Sequence, residues 1–340
     1  MTAAKKMRVA MVGVGGFGGY RGDRMRETGL FEIVAAYDIN EQNLTAACAQ
    51  DGCKPARSFD ELVNTAGIEG LIIATGGKFH AEEALAAMDK GLHVFVEKPL
   101  CSTPQEMQAL LAAQKRTGVV VGVGHGDHSN DAKSRRIKEM IAHGDFGTVA
   151  TFEKTTAHSG GLEIKPGDWR GDPEKNPGGM LFQCGVHALH ELMFYFGPID
   201  RVSAMMRYDV HTTLTADVAH CILHFESGLI GTLSAYHVTA YRHTFHLFGT
   251  QMNLYIDEHA YGDPSYYAVQ YRKRNVMEPH EPIKFEGPSD PCGNLKSFVK
   301  CVREGGEPYP SLRDGALAVA VVFAAEDAAK AGKTVAVPKI

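Results

Sequence analysis

Arg8-Val9-Ala10-Met11-Val12-Gly13-Val14-Gly15-Gly16-Phe17-Gly18 is the stretch from which the rest of this chain is read. Arg8 to Val12 is a short apolar run with the composition of a buried strand, and it passes directly into G-x-G-x-x-G. That motif asks for glycine three times: for a tight turn, for close backbone approach to a pyrophosphate, and for close packing of the next helix. The phosphates then rest on the helix N-terminus, where backbone N–H groups and the helix dipole favour anions. In a chain with 37 glycines the motif alone is weak, so the next strand has to support it. Phe31 to Tyr37 is apolar and ends at Asp38, 20 residues after Gly18, where a carboxylate accepts hydrogen bonds from ribose hydroxyls. An anion there repels a 2′-phosphate and no arginine follows in Ile39-Asn40, so NAD is favoured over NADP. Gly13, Gly15, Gly16, Phe17, Gly18 and Asp38 are the cofactor-binding residues this stretch predicts.

Outward from the loop, strand and helix alternate. Helical stretches are expected at Glu41 to Gln50, Asp60 to Thr65, Ala81 to Lys90 and Pro104 to Thr117, with strands at Gly70 to Thr75, Leu92 to Val96 and Val119 to Val123. Alternation of this kind predicts an α/β Rossmann domain, a doubly wound parallel sheet whose ligands bind at the carboxyl ends of the strands. Gly13, Asp38, Thr75, Lys98 and His125 all fall at such ends and are expected to converge on one crevice. The fifth strand reads Gly91-Leu-His-Val-Phe-Val-Glu-Lys-Pro99. Its charge appears where the apolar run stops, and Pro99, with no N–H and a fixed φ, ends the pairing there.

Beyond Gly124 the pattern changes. Helices are expected at Ser129 to His143 and Phe182 to Phe196, around a strand at Thr148 to Thr156 and a Gly-, Pro- and charge-rich loop at Ser159 to Gly178. Five strand-like runs follow: Arg201 to Tyr208, Val218 to Phe225, Leu229 to His237, Thr244 to Phe248 and Asn253 to Ile256. Short turns such as Glu226-Ser227-Gly228 separate them, so the second domain is predicted to be α+β with a large, mostly antiparallel open sheet. Two helices, Asn294 to Arg303 and Ser311 to Ala331, close the chain. The domains are expected at 1–125 (dinucleotide-binding) and 126–310 (substrate-binding), with 311–340 a C-terminal helix packing back on the first.

Composition narrows the function. The 340 residues carry a net charge of -5 with 44% hydrophobic and 22% charged residues, which is ordinary for a soluble globular protein and wrong for a nucleic-acid surface, since phosphate binding needs clustered Lys and Arg. No run is apolar for about 18 residues and Met1 to Lys6 is polar, so neither membrane span nor signal peptide is expected and the cytoplasm is the default. Seven scattered cysteines, never spaced C-x-x-C, suit a reducing compartment.

These features resemble the glucose-fructose oxidoreductase, inositol dehydrogenase and MocA family of NAD(P)-dependent oxidoreductases. Four motifs carry the resemblance and span most of the chain: the Gly13 to Gly18 loop; Ala74-Thr75 with His80 following; Glu97-Lys98-Pro99; and Trp169-Arg170 with Gly178-Gly179 and Gly185-x-His187. The resemblance implies hydride transfer on sugars, polyols or cyclitols, and a homodimer or homotetramer formed through the second-domain sheet. It implies that Lys98 sits beside the nicotinamide and hydrogen-bonds the reacting hydroxyl, and that His187 is the general acid/base. Imidazole titrates near neutral pH and an ammonium stabilises a developing alkoxide, so the residue types suit the chemistry. Thr75, His80, Glu97, Trp169 and Arg170 join the cofactor-binding set. His125, Trp169, Gln183 and His237 join Lys98 and His187 around the substrate.

The departures are specific. The family usually carries an Asp four residues before the histidine and often another three after it; here these positions are Gln183 and His190. Gln183 shares a helix face with His187 and can orient a hydroxyl, but it cannot accept a proton. Pro177 replaces the first glycine of a Gly-Gly-Gly, Gly76 stands where proline is common, and His125-Gly126-Asp127-His128 replaces an Asn/Arg segment. Fourteen of the 16 histidines lie from His125 onward, and His187 with Glu191 has ligand spacing. The one H-x-x-x-H, His220 to His224, falls in a strand-like run whose histidines read as sheet-face residues, and no H-E-x-x-H occurs, so no metal is expected. Besides a dehydrogenase, two readings stay open: an enzyme that recycles a retained NAD for a net elimination, hydrolysis or epimerisation, and a non-catalytic cofactor-binding sensor.

Overall fold

The computed structural model describes residues 5–258, 265–272 and 279–340. They form two compact units: the chain up to Asp127 with Asp290–Ala316, and His128–Ser289 with Leu317–Ile340.

The first unit begins with β1 (Met7–Val12), α1 (Phe17–Thr28), β2 (Phe31–Tyr37), α2 (Glu41–Asp51), β3 (Lys54–Pro55) and α3 (Phe59–Val63). It continues through β4 (Gly70–Ile73), α4 (His80–Asp89), β5 (His93–Val96), α5 (Pro104–Thr117) and β6 (Val121–Val123). The six strands lie in the order β3-β2-β1-β4-β5-β6, every pair parallel, which is the predicted doubly wound sheet. Local signals set the helix starts. Thr103 Oγ1 accepts from the Glu106 N–H at 3.1 Å while the Glu106 carboxylate accepts from the Thr103 N–H, with Pro104 opening the helix; such a reciprocal cap is worth about 1 kcal/mol. The two-residue β3 had no periodicity to reveal it.

The second unit holds α6 (Ala132–His143), β7 (Val149–Ala157), α7 (Val186–Phe196), β8 (Ile199–Arg207), β9 (Val218–Phe225) and β10 (Ile230–Tyr236). After these come β11 (Arg242–Gly249), β12 (Met252–Glu258), β13 (Tyr266–Tyr271) and β14 (Glu281–Pro282). The chain then visits the first unit as α8 (Gly293–Glu304), runs through α9 (Leu312–Ala331) and ends on β15 (Val335–Ala336). Nine strands form one sheet in the order β14-β13-β12-β11-β7-β10-β9-β8-β15. β7 pairs parallel with β10, and the other neighbours are antiparallel. Along β9, Ala219, Cys221, Leu223 and Phe225 are buried while His220 and Ile222 are exposed, the alternation of a sheet covered on one face. Aromatic contacts fix α7 on that face: Phe196 stacks on Phe152 at 5.4 Å and Tyr195 on Phe245 at 5.5 Å.

The boundaries differ from the sequence reading at the C-terminal side. Asp290–Ala316 belongs with the first unit, not the second, because Leu295, Phe298 and Val299 of α8 enter the core made by Met7, Val9, Ile72 and Phe95. Phe298 meets Phe95 edge-on at 5.7 Å, and burying a Phe contributes about 1.5–3 kcal/mol. Gly122 lets this happen, since a Cβ there would lie 3.0 Å from Phe95 and 3.3 Å from Phe298. The long α9 is buried over most of its faces, as its Ala and Val content predicts. Its first turn packs by Gly315 on Val123 and Leu100, and from Leu317 onward it belongs to the second unit.

Candidate active site

In the first unit the parallel strands end in a row, and each end is tied to its neighbour. Gly13 N–H donates to Tyr37 O, Ala74 N–H to Val12 O, Glu97 N–H to Ile73 O and Gly124 N–H to Val96 O, all at 2.8–2.9 Å. Gly13, Asp38, Thr75, Lys98 and His125 therefore follow the ends of five adjacent strands, β2-β1-β4-β5-β6, on one edge of the sheet.

The glycine loop is built as the motif requires. Gly13 has φ +76°, and a Cβ there would lie 2.7 Å from the backbone of Ala74 and Thr75. A Cβ on Gly18 would lie 1.9 Å from the Gly13 carbonyl oxygen, so only glycine lets α1 approach β1. Gly15 is covered by Asn43 of α2, whose Nδ2 lies 2.1 Å from a would-be Cβ; the motif gave no sign of this neighbour. No side chain caps α1 and its first turn contains no acidic residue, so its positive end is left for an anion. Asp38 Oδ2 accepts from the N–H groups of Val14 and Gly15 at 2.9 and 3.1 Å, and Oδ1 accepts from Asn40 at 2.8 Å. The carboxylate thus fixes the loop from the side where ribose hydroxyls would reach its remaining lone pairs. A loop of this shape and charge fits a dinucleotide.

Around Lys98 the structure adds partners that no motif announced. Glu97 is buried, 3% exposed, and its Oε1 accepts from Arg21 Nε of α1 at 2.6 Å. The guanidinium lies 5.0 Å from the centre of the Phe95 ring. Glu97 Oε2 has no hydrogen-bond partner among the described residues and lies against Gly124, where a Cβ would be 2.3 Å away. Glu97, predicted to bind cofactor, thus points into the protein and holds α1 to the end of β5. His80 is buried as well: Nδ1 is 2.7 Å from Pro99 O and Nε2 is 3.0 Å from Thr75 O. It bridges the end of β4 to the residue after Lys98, across the cis Lys98–Pro99 peptide, and burial pushes its pKa down. Thr75 Oγ1 donates to Glu83 Oε2 at 2.6 Å, and burial raises the Glu83 carboxyl to about 7. The periodicity of α4 showed Glu83 only as one more helix carboxylate.

In the second unit, Gln183 lies on a π-helical turn, Leu181–Gly185, that leads into α7 with His187. Both are half-buried while Phe182, Val186 and Leu189 are buried, so the two share the accessible side. The next turn of α7 faces inward. His190 is 2% exposed, its ring 5.1 Å from that of His128, and burial pushes its pKa down to about 3. It is neutral at physiological pH. Glu191 Oε2 accepts from Lys154 of β7 at 2.5 Å and Oε1 accepts from Tyr195 at 3.1 Å. Burial alone would raise its pKa, but Lys154, His128 and Lys133 outweigh that and hold it at about 2. Glu191, whose spacing from His187 suggested a metal ligand, is instead the centre of an ion-pair network.

Two predicted residues lie elsewhere than expected. His237 is 1% exposed and covered by Gly161, with Nε2 3.8 Å from Asp217 Oδ1. A ring so enclosed does not line a substrate pocket; it anchors the loop that begins at Ser159. His125 is equally buried, its carbonyl accepting from Asn294 Nδ2 of α8 at 2.8 Å. Trp169 and Arg170 occupy a short 3₁₀ turn capped by Asp168, with the Arg170 guanidinium 5.0 Å from the Trp169 ring.

Known proteins fit this architecture. A family model described as oxidoreductase family, NAD-binding Rossmann fold, matches residues 7–125, and one described as GFO/IDH/MocA C-terminal domain matches residues 134–255. The chain belongs to the GFO/IDH/MocA family of oxidoreductases. It is 25% identical over 320 residues to 1,5-anhydro-D-fructose reductase of Ensifer adhaerens, covering 89% of this chain and 90% of that protein. It is 26% identical over 208 residues to glucose-6-phosphate 3-dehydrogenase of Bacillus subtilis, covering 61% and 58%. Among solved structures, levoglucosan dehydrogenase in complex with NADH and levoglucosan has a TM-score of 0.86 at 20% identity, covering 99% of this chain and 100% of that one; at that identity the likeness speaks for the fold. No helix among the described residues is long and apolar enough to cross a membrane.

Proposed function

We propose that this protein is an NAD-dependent dehydrogenase or reductase that moves a hydride between the nicotinamide and a secondary hydroxyl or carbonyl of a sugar, polyol or cyclitol. The observation that carries the reading is the row of strand ends that follows Gly13, Asp38, Thr75 and Lys98 along one sheet edge. The relatives named above act, by their names, on sugars and sugar derivatives, which supports the substrate class. Bound nicotinamide supplies the hydride acceptor or donor. Lys98 donates a hydrogen bond to the reacting oxygen and stabilises the alkoxide, and His187 takes or returns the hydroxyl proton. Gln183 orients the substrate or the imidazole. With His190 buried and neutral, proton transfer falls to His187 and Lys98. Asp38 favours the unphosphorylated ribose of NAD, because a 2′-phosphate would face a carboxylate already committed to the loop. The second-unit sheet carries Met205, Ile222 and Ile230 exposed on strands β8, β9 and β10, which supports a homodimer or homotetramer formed through that face. Thiols at all seven cysteines support a reducing compartment such as the cytoplasm.

Fluorescence titration with NADH and NADPH, followed by a screen of sugars, polyols and inositols with NAD, tests the reading. Tight NADH binding with substrate-dependent NADH formation is expected; binding of neither dinucleotide sinks it. Gln183 in place of an acid favours one other reading, in which a retained NAD is recycled during a net elimination or epimerisation. Substrate conversion with no net change in NADH absorbance would select that reading.

A further inference from the structure

We propose that Cys184 is a reactive thiol, a modification site for peroxides and soft carbon electrophiles. Five of the seven cysteines are held as poor nucleophiles, because the thiolate is the reactive form and burial raises their pKa. Cys53 and Cys221 are pushed up to about 12, Cys101 further, and Cys292 and Cys301 more modestly. Cys184 is placed differently. It is half-buried on the π-helical turn between Gln183 and Gly185, and its Sγ lies 3.6 Å from Nε2 of His158.

The hydrogen bonds around His158 say which ring nitrogen carries the proton. The Gly160 N–H donates to Nδ1 at 2.8 Å, and a nitrogen that accepts has no proton of its own, so the neutral ring carries its proton on Nε2. That N–H faces the sulfur. A donor aimed at sulfur favours the charged form of the thiol, and the thiolate is the nucleophile. The loop is shaped for this contact, since a Cβ on Gly160 would lie 2.9 Å from His158 Cε1 and Nδ1. His237 and His243 couple electrostatically to His158, and burial pushes the pKa of both down.

With hydrogen peroxide the thiolate sulfur attacks one oxygen: the S–O bond forms, the O–O bond breaks and hydroxide leaves, giving a sulfenic acid. With iodoacetamide the S–C bond forms as iodide leaves. Cys184 lies beside Gln183 and three residues before His187, on the same accessible side of the segment, so an adduct there blocks that side. The loss of turnover this implies rests on the role proposed for His187; the reactivity itself does not.

The test is competition among the cysteines of the intact protein. Under substoichiometric iodoacetamide at neutral pH, peptide mass spectrometry should show Cys184 carrying label ~10-fold faster than Cys301 or Cys292. His158→Phe keeps a ring but removes the Nε2–H and should bring Cys184 to the rate of an ordinary thiol. Gly160→Ala should act in the same direction, covering the case in which His158→Phe does not fold. Equal labelling of Cys184 and Cys301, or a Cys184 rate indifferent to both substitutions, overturns the proposal. In the activity arm, Cys184→Ser should keep wild-type turnover and resist peroxide inactivation; inactivation equal to wild type overturns the blocking role. Labelling selective for Cys184 in a protein that turns over no tested substrate would leave the thiol proposal standing and count against the proposed function alone.

Discussion

Each unit fastens the segment that carries its proposed catalytic residue with a buried ion pair, and the two pairs are built differently. Arg21 and Glu97, whose side chains are 5% and 4% exposed, join α1 to the residue before Lys98. Lys154 and Glu191, at 10% and 14%, join β7 to the helix of His187. Both oxygens of Glu191 are engaged, one by Lys154 and one by Tyr195, whereas Glu97 uses one oxygen and leaves the other against Gly124. Buried carboxylates left half-satisfied are costly. A complete network rigidifies what it holds. The incomplete one on the Lys98 side depends more heavily on backbone ties, namely the strand-end hydrogen bonds and His80 bridging Thr75 and Pro99.

The difference can be broken open by substitution, and the largest effects belong to the residues being held. Lys98→Ala and His187→Asn should each lower turnover by ~10²–10⁴ with NADH binding largely retained, read by steady-state kinetics beside fluorescence titration. Unchanged turnover in either would remove that residue from the chemistry. Breaking the pairs comes next. Lys154→Met should cost about 3–5 kcal/mol in denaturant unfolding, because it strands a buried carboxylate. Adding Glu191→Leu should return most of that loss, while recovery of nothing would mean that Lys154 acts through packing.

Smaller effects separate the glycines of the loop. Gly18→Ala forces a methyl onto the Gly13 carbonyl and should cost at least ~1–3 kcal/mol, with loss of NADH affinity. Gly16→Ala meets no atom within 4 Å but stands at φ +51° and ψ −117°, a backbone that residues with a Cβ avoid, so only that backbone cost of about 1–3 kcal/mol is expected. A Gly18→Ala loss below ~1 kcal/mol with NADH affinity intact would refute the close-packing account of Gly18. The smallest effect is a pH slope. Burial raises the folded pKa of Glu83 to about 7, above the ordinary carboxyl value of 4.5, so the folded state binds more protons between those values and stability from this group falls as pH rises from 4.5 to about 7. Glu83→Gln should flatten that part of a melting-temperature profile.

Much of the first unit was legible because its logic is local. A strand running into Gly13 and Gly18, an acid at the end of the next strand, and a lysine before Pro99 are each set by a few consecutive residues. The second unit was legible in outline only. Strands β8 to β12 showed in their alternation, yet the short β14 and β15 carry too few residues for a period, and His237 looked like a pocket residue because a strand end says nothing of what covers it. Arg21, Asn43, Glu83 and Lys154 went unnoticed because their partners lie far along the chain or on a neighbouring helix.

By itself the sequence determined most of the longer elements, the glycine loop and the two residues proposed for chemistry, since turns, capping and strand periodicity are decided by neighbours in the chain. Tertiary structure decided that Glu97 faces inward to Arg21, that His190 is neutral and buried, that α8 completes the first core, and that Gly160 fixes the proton of His158 toward Cys184. Those outcomes depend on which distant groups share a low-dielectric interior, and no spacing along a chain records that.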